Sequence, residues 1–412
     1  MKKEYLNKWY KLDNAAKIFS LDDKNNTNIF RYSVILYENV DKDKLKEAVE
    51  KTLNNYQNFK VKIGIGVFWN YLEYNNKEIV IEEEKEIPCQ HIDFKKNNDY
   101  LFKVTYYNKK INLDIFHILT DGTGGIIFLK SIIYNYLSLK HNISFKENID
   151  NINYEDQYVK NYDKNIIVNR NHNKAYQLPG KINKSINNTY HYIINLKRLK
   201  KVCKKYKVTI TEYLTALYVY SIYLSMYDKK EDIIISVPID LRNYYKVNTL
   251  SNFFVCMNIN PKILENDLKT FDDILIKINE EFKEKLKVNN VNYYLARDVK
   301  LGRNVPIRLI PLFVKKVIIK CLSKSISKNS TSTLSNVGII DIDNEYKKYI
   351  NNILALVIPD RNQKIKCTIC SYNDKLNITI NSNIEDFTFQ KTFYKLLQDE
   401  IKDVNIESNN LE

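Results

Sequence analysis

The residues of this chain whose types and spacing offer chemistry are His117 and Asp121. They stand in the run Asp114-Ile115-Phe116-His117-Ile118-Leu119-Thr120-Asp121-Gly122-Thr123-Gly124-Gly125. An unperturbed imidazole titrates near pH 6.5, so at neutral pH it can take a proton from a hydroxyl, an amine or a thiol. Asp121 can serve as a second acid–base group. A structural role is more natural: its place beside a glycine turn suits it to binding backbone N–H groups or an arginine, which would fix the loop and with it the imidazole. The competing reading is a structural histidine followed by a turn aspartate. No metal-ligand cluster surrounds His117 in sequence, and no GxSxG elbow, GxxxxGK loop or GxGxxG fingerprint occurs. Direct acyl transfer is then the economical chemistry: His117 deprotonates an acceptor, and the acceptor attacks a thioester.

Two elements must position these residues. Residues 110–116 alternate, with Ile111, Leu113 and Ile115 on one face, and read as a half-buried strand. Residues 126–139 carry apolar side chains at helical spacing. Gly122, Gly124 and Gly125 occupy the turn between them, in a chain with only 8 Gly. Glycine belongs where the backbone needs a positive φ or a close approach.

The 412 residues exceed the usual size of one domain, so two domains or lobes are expected. At 44% hydrophobic residues the chain reads as globular. It has no apolar run of about 18 residues that could cross a membrane. The start, Met1 to Tyr5, lacks an apolar signal core, which leads to the expectation of a cytoplasmic protein. The formal charge of +15 comes from 64 Lys+Arg against 49 Asp+Glu. It is compatible with an anionic partner such as nucleic acid, membrane or coenzyme A. The joint excess of Lys, Asn, Ile and 32 Tyr points instead to base-composition drift for most of it. Without an Arg-rich tract interleaved with aromatics, nucleic-acid binding is not expected. The 6 cysteines are dispersed. Cys367 and Cys370 have redox or metal spacing, but they fall within an apparent strand and lack a second pair, so no metal site is expected.

Taken in order, residues 30–37 read as a strand and 41–56 as a helix. Short strands follow near 59–63, 67–74 and 79–83, and then a hairpin of 101–107 with 110–116. Residues 141–184 are polar and Asn-rich, a connecting segment broken at Leu178-Pro179-Gly180. The second half restarts with a strand at 189–194 and a basic helix at 196–206. Thr209-Ile210-Thr211-Glu212 matches a capping box before a buried helix at 213–226. Strands near 233–239 and 255–259 flank Asp240-Leu241-Arg242 and Thr249-Leu250-Ser251-Asn252-Phe253-Phe254. An amphipathic helix spans 271–287. Residues 307–327 mix apolar and basic residues and suit either a membrane-surface helix or a packed helix with a solvated basic face. The chain closes with strands near 353–358, 365–372 and 376–381 and a helix at 387–401.

Phe116-His117-Ile118-Leu119-Thr120-Asp121-Gly122 resembles the HxxxDG signature of the CoA-dependent acyltransferase superfamily. That superfamily includes chloramphenicol acetyltransferases, peptide-synthetase condensation domains and alcohol acetyltransferases. Other landmarks fall in the same order. Asp240-Leu241-Arg242 with Leu250-Ser251-Asn252-Phe253-Phe254 resembles the arginine segment and following strand of condensation-type members. Thr333-Leu334-Ser335-Asn336-Val337-Gly338 resembles a strand of bacterial alcohol-acetyltransferase-like proteins, as do Lys11-Leu12-Asp13-Asn14-Ala15-Ala16 and Val67-Phe68-Trp69-Asn70-Tyr71-Leu72-Glu73. The likeness spans nearly the whole chain.

The resemblance implies an α/β fold of two similar chloramphenicol-acetyltransferase-like lobes, each a mixed sheet with helices, and a tunnel between them. The N-terminal lobe would be residues 1–180 and the C-terminal lobe 181–412. His117 would sit midway as general base, with Asp121 at the same catalytic site and Gly122 and Arg242 supporting it, Arg242 by pairing with Asp121. Ser335, Asn336 and Asn252 would meet substrate. The implied reaction moves an acyl group, most simply acetyl, from a CoA thioester or phosphopantetheine carrier to a small alcohol, amine or lipid acceptor. No resident cofactor or metal is implied. Two lobes in one chain can build the site internally, which favours a monomer; peripheral membrane contact stays open. Two departures narrow the branch. Phe116 stands where condensation domains usually carry a second histidine, which argues against peptide-bond synthesis, and the DFGWG segment of plant members is missing. The rival readings are a non-catalytic two-lobed binding protein and a lipid-interface or carrier-dependent enzyme.

Overall fold

The computed structural model describes residues 9–21, 28–145, 155–169, 174–182, 187–228, 230–303, 309–318, 327–360 and 363–409. Two sheets carry the fold. The first has five strands in the order Ile350–Val357, Ile29–Leu36, Lys110–Phe116, Phe102–Tyr107, Ile81–Glu83. Its pairings are antiparallel except the last. The helix Gly122–His141 packs beside Lys42–Asn55, and the two close one face of this sheet. The longer helix follows the His117 strand after a single turn, so the strand's end and the helix's N-terminus meet at the site.

The second sheet has seven strands in the order Phe254–Ile259, Ile235–Asp240, Ser332–Ile339, Ile365–Tyr372, Lys375–Ser382, Asn188–Asn195, Asn405–Ser408. Ser332–Ile339 runs parallel to both of its neighbours. Helices Leu196–Tyr206, Ile210–Ser225, Phe271–Lys285 and Thr388–Ile401 supply the rest of this core. The Ile210–Ser225 helix begins with the capping box anticipated from Thr209 and Glu212, each side chain bonded to the other's backbone N–H. A smaller antiparallel sheet joins Trp9–Lys11, Tyr71–Tyr74 and Val61–Gly64.

Several elements were not anticipated. These are the strand Trp9–Lys11, the helix Asn14–Phe19, the helix Val288–Arg303 and the edge strand Asn405–Ser408. The first, second and fourth are short, so they offer little periodicity to read. The segment 141–184 lies partly outside the described residues, but within it the helix Gln157–Asn161 docks firmly. The Tyr158 side chain is buried, and its hydroxyl accepts from the Phe254 N–H and donates to the Phe254 carbonyl. Of the segment 307–327, residues 312–318 are a described helix, while 307–308 and 319–326 lie outside the described residues. Cys367 and Cys370 both sit in the strand Ile365–Tyr372. Three positions apart, they point to opposite faces, Cys367 into the second core and Cys370 into the first. That geometry cannot chelate, and no group of metal-ligating side chains occurs among the described residues. No described helix is long and apolar enough to cross a membrane.

The strand Ile350–Val357 comes from the second half of the chain, yet it pairs along its length with Ile29–Leu36 of the first sheet. This crossing stitches the two sheets together. At the seam, Asn352 and Asn377 exchange side-chain amide hydrogen bonds at 2.9 Å, and Asn377 Nδ2 also donates to the Ile353 carbonyl at 2.9 Å. Both asparagines are buried. Asn377→Ala strands the Asn352 amide in the interior, and an unsatisfied buried polar group costs about 1–3 kcal/mol. We expect the urea midpoint of that variant to fall with an unchanged slope.

Candidate active site

The His117 backbone N–H donates to the Asn28 carbonyl at 3.0 Å, which continues the sheet one residue beyond the strand Lys110–Phe116. The chain then turns, and Asp121 caps the helix Gly122–His141, its Oδ1 accepting from the Gly124 N–H at 3.1 Å. The helix therefore starts earlier than its apolar spacing indicated, and the three glycines lie in its first turn. Their φ values are not positive; only Gly180 and Gly338 show that among the described glycines. Close approach is the reason for them. A Cβ at Gly124 would sit 2.0 Å from Thr120 Oγ1 and 2.7 Å from the Leu250 carbonyl oxygen. A Cβ at Gly122 would sit 2.9 Å from a Val337 methyl group. Both clashes bring in residues of the second half of the chain, so glycine lets the two halves close around the turn.

Asp121 is buried, and both of its oxygens are engaged. Arg242 Nη2 donates to Oδ1 and Nη1 to Oδ2, each at 2.9 Å, and the Phe253 N–H donates to Oδ2 at 2.8 Å. The five N–H groups of Arg242 are distributed over Asp121, Asp240 Oδ1 at 3.0 Å, the Thr249 carbonyl at 3.0 Å and the Ser251 carbonyl at 2.9 Å. Burial opposes the Arg242 charge, but the adjoining Asp121 carboxylate raises its pKa above the ordinary arginine range. Four donors from the protein fill its two oxygens, so Asp121 is fully engaged by the helix N-terminus, Phe253 and Arg242.

Asn252, which the resemblance set against substrate, is fully buried and faces the imidazole. Its Nδ2 donates to the His117 carbonyl at 2.9 Å and to Asp13 Oδ2 at 3.1 Å. Two acceptors on one side fix which end of the amide is nitrogen. The Oδ1 therefore faces His117 Nδ1, 3.3 Å away, and the proton belongs on Nδ1. Nε2 is left with its lone pair. Asp13 holds Asn252 in turn, with Oδ2 accepting also from the Asn252 N–H at 3.1 Å and Oδ1 from the Ala16 N–H at 2.7 Å. Burial pushes the Asp13 carboxyl up to about 7, against the pull of these N–H donors. Sequence reasoning quoted Asp13 only as part of a resembling segment. Its signal was that of an N-cap aspartate before Ala15-Ala16.

Three aromatic rings enclose the imidazole. The Phe19 and Phe30 centroids each lie 4.7 Å from it, and Phe254 lies 5.8 Å away. The His117 pKa is lowered, first by this burial; the Asp121 charge and the Asn252 hydrogen bond oppose the shift without cancelling it. The ring is thus held neutral at neutral pH.

His117 lines a cavity of about 350 Å³ between the two sheets. The facing wall comes from the strand Ser332–Ile339 and its neighbour, and it presents Ser335, Asn336 and Thr368, with Thr211 beside them. Asn336 is already engaged: its Nδ2 donates to Thr211 Oγ1 and its Oδ1 accepts from the Gly338 N–H, both at 2.9 Å. The buried Thr368 hydroxyl has no hydrogen-bond partner among the described residues, and Ser335 lines the cavity beside it. Thr368 was not singled out from sequence, because a threonine inside an alternating strand reads as ordinary β-former. Arg242→Met leaves Asp121 buried without its counter-ion, a change that costs about 3–5 kcal/mol. We expect a matching drop in denaturant stability, and a smaller one for Arg242→Lys, which keeps the charge and loses the fork.

Comparison with known proteins places this geometry. The condensation-domain family model matches residues 20–405. No curated protein matches the chain in sequence. The fold is similar to that of TRI101 from F. sporotrichioides, solved with coenzyme A and T-2, at TM-score 0.66 and 11% identity over 97% of this chain and 100% of that one. It is similar also to the starter condensation domain of rhizomide synthetase, solved with C8-CoA and Leu-SNAC, at TM-score 0.63 and 10% identity over 98% and 96%. A third is the TRI3 trichothecene 15-O-acetyltransferase of Fusarium sporotrichioides, at TM-score 0.62 and 10% identity over 95% of each chain. The family model covers almost the full length of the chain, and this chain is therefore a member of the condensation-domain family.

Proposed function

We propose that the protein is an acyltransferase that moves an acyl group, most simply acetyl, from a CoA-type thioester to a hydroxyl or amine, with His117 as general base. The observation that carries this reading is the state of the imidazole. Its Nδ1 is held by Asn252, its Nε2 keeps a lone pair, and the ring borders a cavity whose far wall carries hydroxyl groups. Family membership and the CoA-bound neighbours support the donor class.

In this mechanism the acceptor O–H or N–H gives its proton to His117 Nε2 as its heteroatom attacks the thioester carbonyl. The carbonyl oxygen gathers negative charge, and the hydroxyl of Ser335 on the facing wall is the donor that would receive it. Collapse of the adduct breaks the C–S bond, and the imidazolium returns its proton to the leaving thiolate. Asp121 takes no part in proton transfer; with Arg242 it keeps the turn, and so the ring, in place. Phe116 packs in the core where a second histidine would stand, which agrees with one base acting on a small acceptor rather than peptide-bond synthesis.

Two measurements test this. His117→Ala removes the base, and general-base catalysis contributes about 10²–10⁴ in rate; we expect thiol release from acetyl-CoA in the presence of an acceptor panel to fall by that order while the circular dichroism spectrum is kept. In the wild type, kcat/KM rises with pH as the imidazole loses its proton. Because burial lowers that pKa, the midpoint of the acid limb falls below 6.5, and Phe19→Ala, which admits water to the ring, moves it back up. Full activity in His117→Ala, or a midpoint above 6.5, removes the base assignment. Ser335→Ala tests the oxyanion role separately. Loss of one such donor costs about 10²–10³ in kcat, with little change in KM, whereas a purely structural serine leaves both unchanged.

A further inference from the structure

Residues 312–318 form a short helix laid on the tip of the hairpin Val61–Gly64 and Tyr71–Tyr74. The Leu312 N–H donates to the Val67 carbonyl at 2.8 Å, and Lys315 Nζ donates to the Phe68 carbonyl at 2.8 Å. The same ammonium lies 3.7 Å from the centroid of the Trp69 ring. Lys315 is 1% exposed. On the outward face, Phe313 is 73% and Val317 64% exposed, one helical turn apart. Leu312 and Lys315 are thus turned in, while Phe313 and Val317 stand exposed beside Lys316 on the outward face. The hairpin tip repeats the pattern, with Ile65 78% and Val67 72% exposed. Exposed apolar side chains gathered on two touching elements mark an interaction surface.

A second feature opens at the same tip. Phe68 and Trp69 also line a cleft of about 980 Å³ that is separate from the His117 cavity. Of its cations, Lys17 pairs with Asp156 and Lys160 with Glu155, and Lys11 and Arg303 supply its net positive charge. The exposed apolar edge thus adjoins a surface of net positive charge, in a chain that carries +15 overall.

We propose that this edge is a membrane-contact surface. Phe313, Val317, Ile65 and Val67 enter the boundary between headgroups and acyl chains of an anionic bilayer, and the basic cleft rim faces the lipid phosphates. Charge complementarity selects lipid over a protein partner: apolar tips beside a cationic rim match an interface that is apolar below and anionic above. None of the four apolar residues lines the His117 cavity, so the proposal stands apart from the transfer chemistry.

The test is flotation of the full chain with vesicles of phosphatidylcholine mixed with phosphatidylglycerol, and with phosphatidylcholine alone. We expect co-flotation with the mixed vesicles, weaker binding to the neutral ones, and loss of the difference at high salt. The paired substitutions Phe313→Asp with Val317→Asp, and Ile65→Asp with Val67→Asp, should each cut the bound fraction about ten-fold without moving the thermal midpoint, since all four side chains already face outward. The proposal is overturned if the wild-type chain stays unbound with the mixed vesicles, or if either paired variant floats as the wild type does. It is equally overturned if sedimentation shows a dimer that these substitutions dissociate while no flotation occurs, because the surface then belongs to a second copy of the chain.

Discussion

The site depends on one buried ion pair. Asp121 and Arg242 are 121 positions apart in the chain, and each comes from a different lobe. Taking a carboxylate and a guanidinium out of water is costly, and their mutual attraction offsets that cost only where the remaining hydrogen-bonding positions are also filled. Here they are. Asp121 accepts from Gly124 and Phe253 besides the arginine fork, and Arg242 donates to Asp240 and to the Thr249 and Ser251 carbonyls. A pair this fully satisfied has one geometry. It sets the helix N-terminus, the turn before it and the Thr249–Phe253 loop of the opposite lobe in a single register, which is the register that brings Asn252 to His117.

From that register follows the electronic state of the imidazole. The Asn252 Nδ2 is held by both Asp13 and the His117 carbonyl, so the amide cannot flip, and its Oδ1 must face the ring. The tautomer is thereby decided by Asn252 and Asp13, neither of which lines the cavity. The aromatic enclosure by Phe19, Phe30 and Phe254 does the rest by excluding water and favouring the uncharged ring. Asp13 is a telling part of this chain. A carboxylate that caps a helix six residues long stabilises little locally, and the helix Asn14–Phe19 has value chiefly because it delivers Asp13 at one end and Phe19 at the other.

How much of this was legible beforehand divides along physical lines. Elements with long, clear periods could be read: the hairpin ending at His117, the helices Leu196–Tyr206 and Ile210–Ser225 with their intervening capping box, and the strand Ile365–Tyr372. Glycine's role was legible in kind but not in detail, since sequence cannot distinguish a positive φ from the close approach that Thr120 and Leu250 impose on Gly124. What stayed hidden was long-range pairing. Nothing local to Ile350–Val357 says that it will leave the sheet of its own lobe and pair with Ile29–Leu36. Nothing local to Asn252 says that its amide will be consumed by Asp13 and His117 rather than offered to substrate. Both depend on which residues meet across more than a hundred positions, and a period of two or 3.6 carries no information about that.

The crossing strand also explains why a cavity persists at the seam. Two sheets that merely abutted could slide together and close the space between them. Ile350–Val357 is hydrogen-bonded into the first sheet, while its Asn352 is locked to Asn377 of the second, so the spacing is fixed from one side by a ladder and from the other by an amide pair. Near the opposite end of the seam, the Asp121–Arg242 fork fixes it again. Between these two anchors the cavity is lined by Ala355, Leu356 and Val357 of the crossing strand together with Ser335 and Thr368 of its neighbours. One wall of this cavity carries Ser335, Asn336 and Thr368 and another carries His117, so its polar groups face each other across the seam. The fold holds the space open, and these side chains set where its polar surface lies.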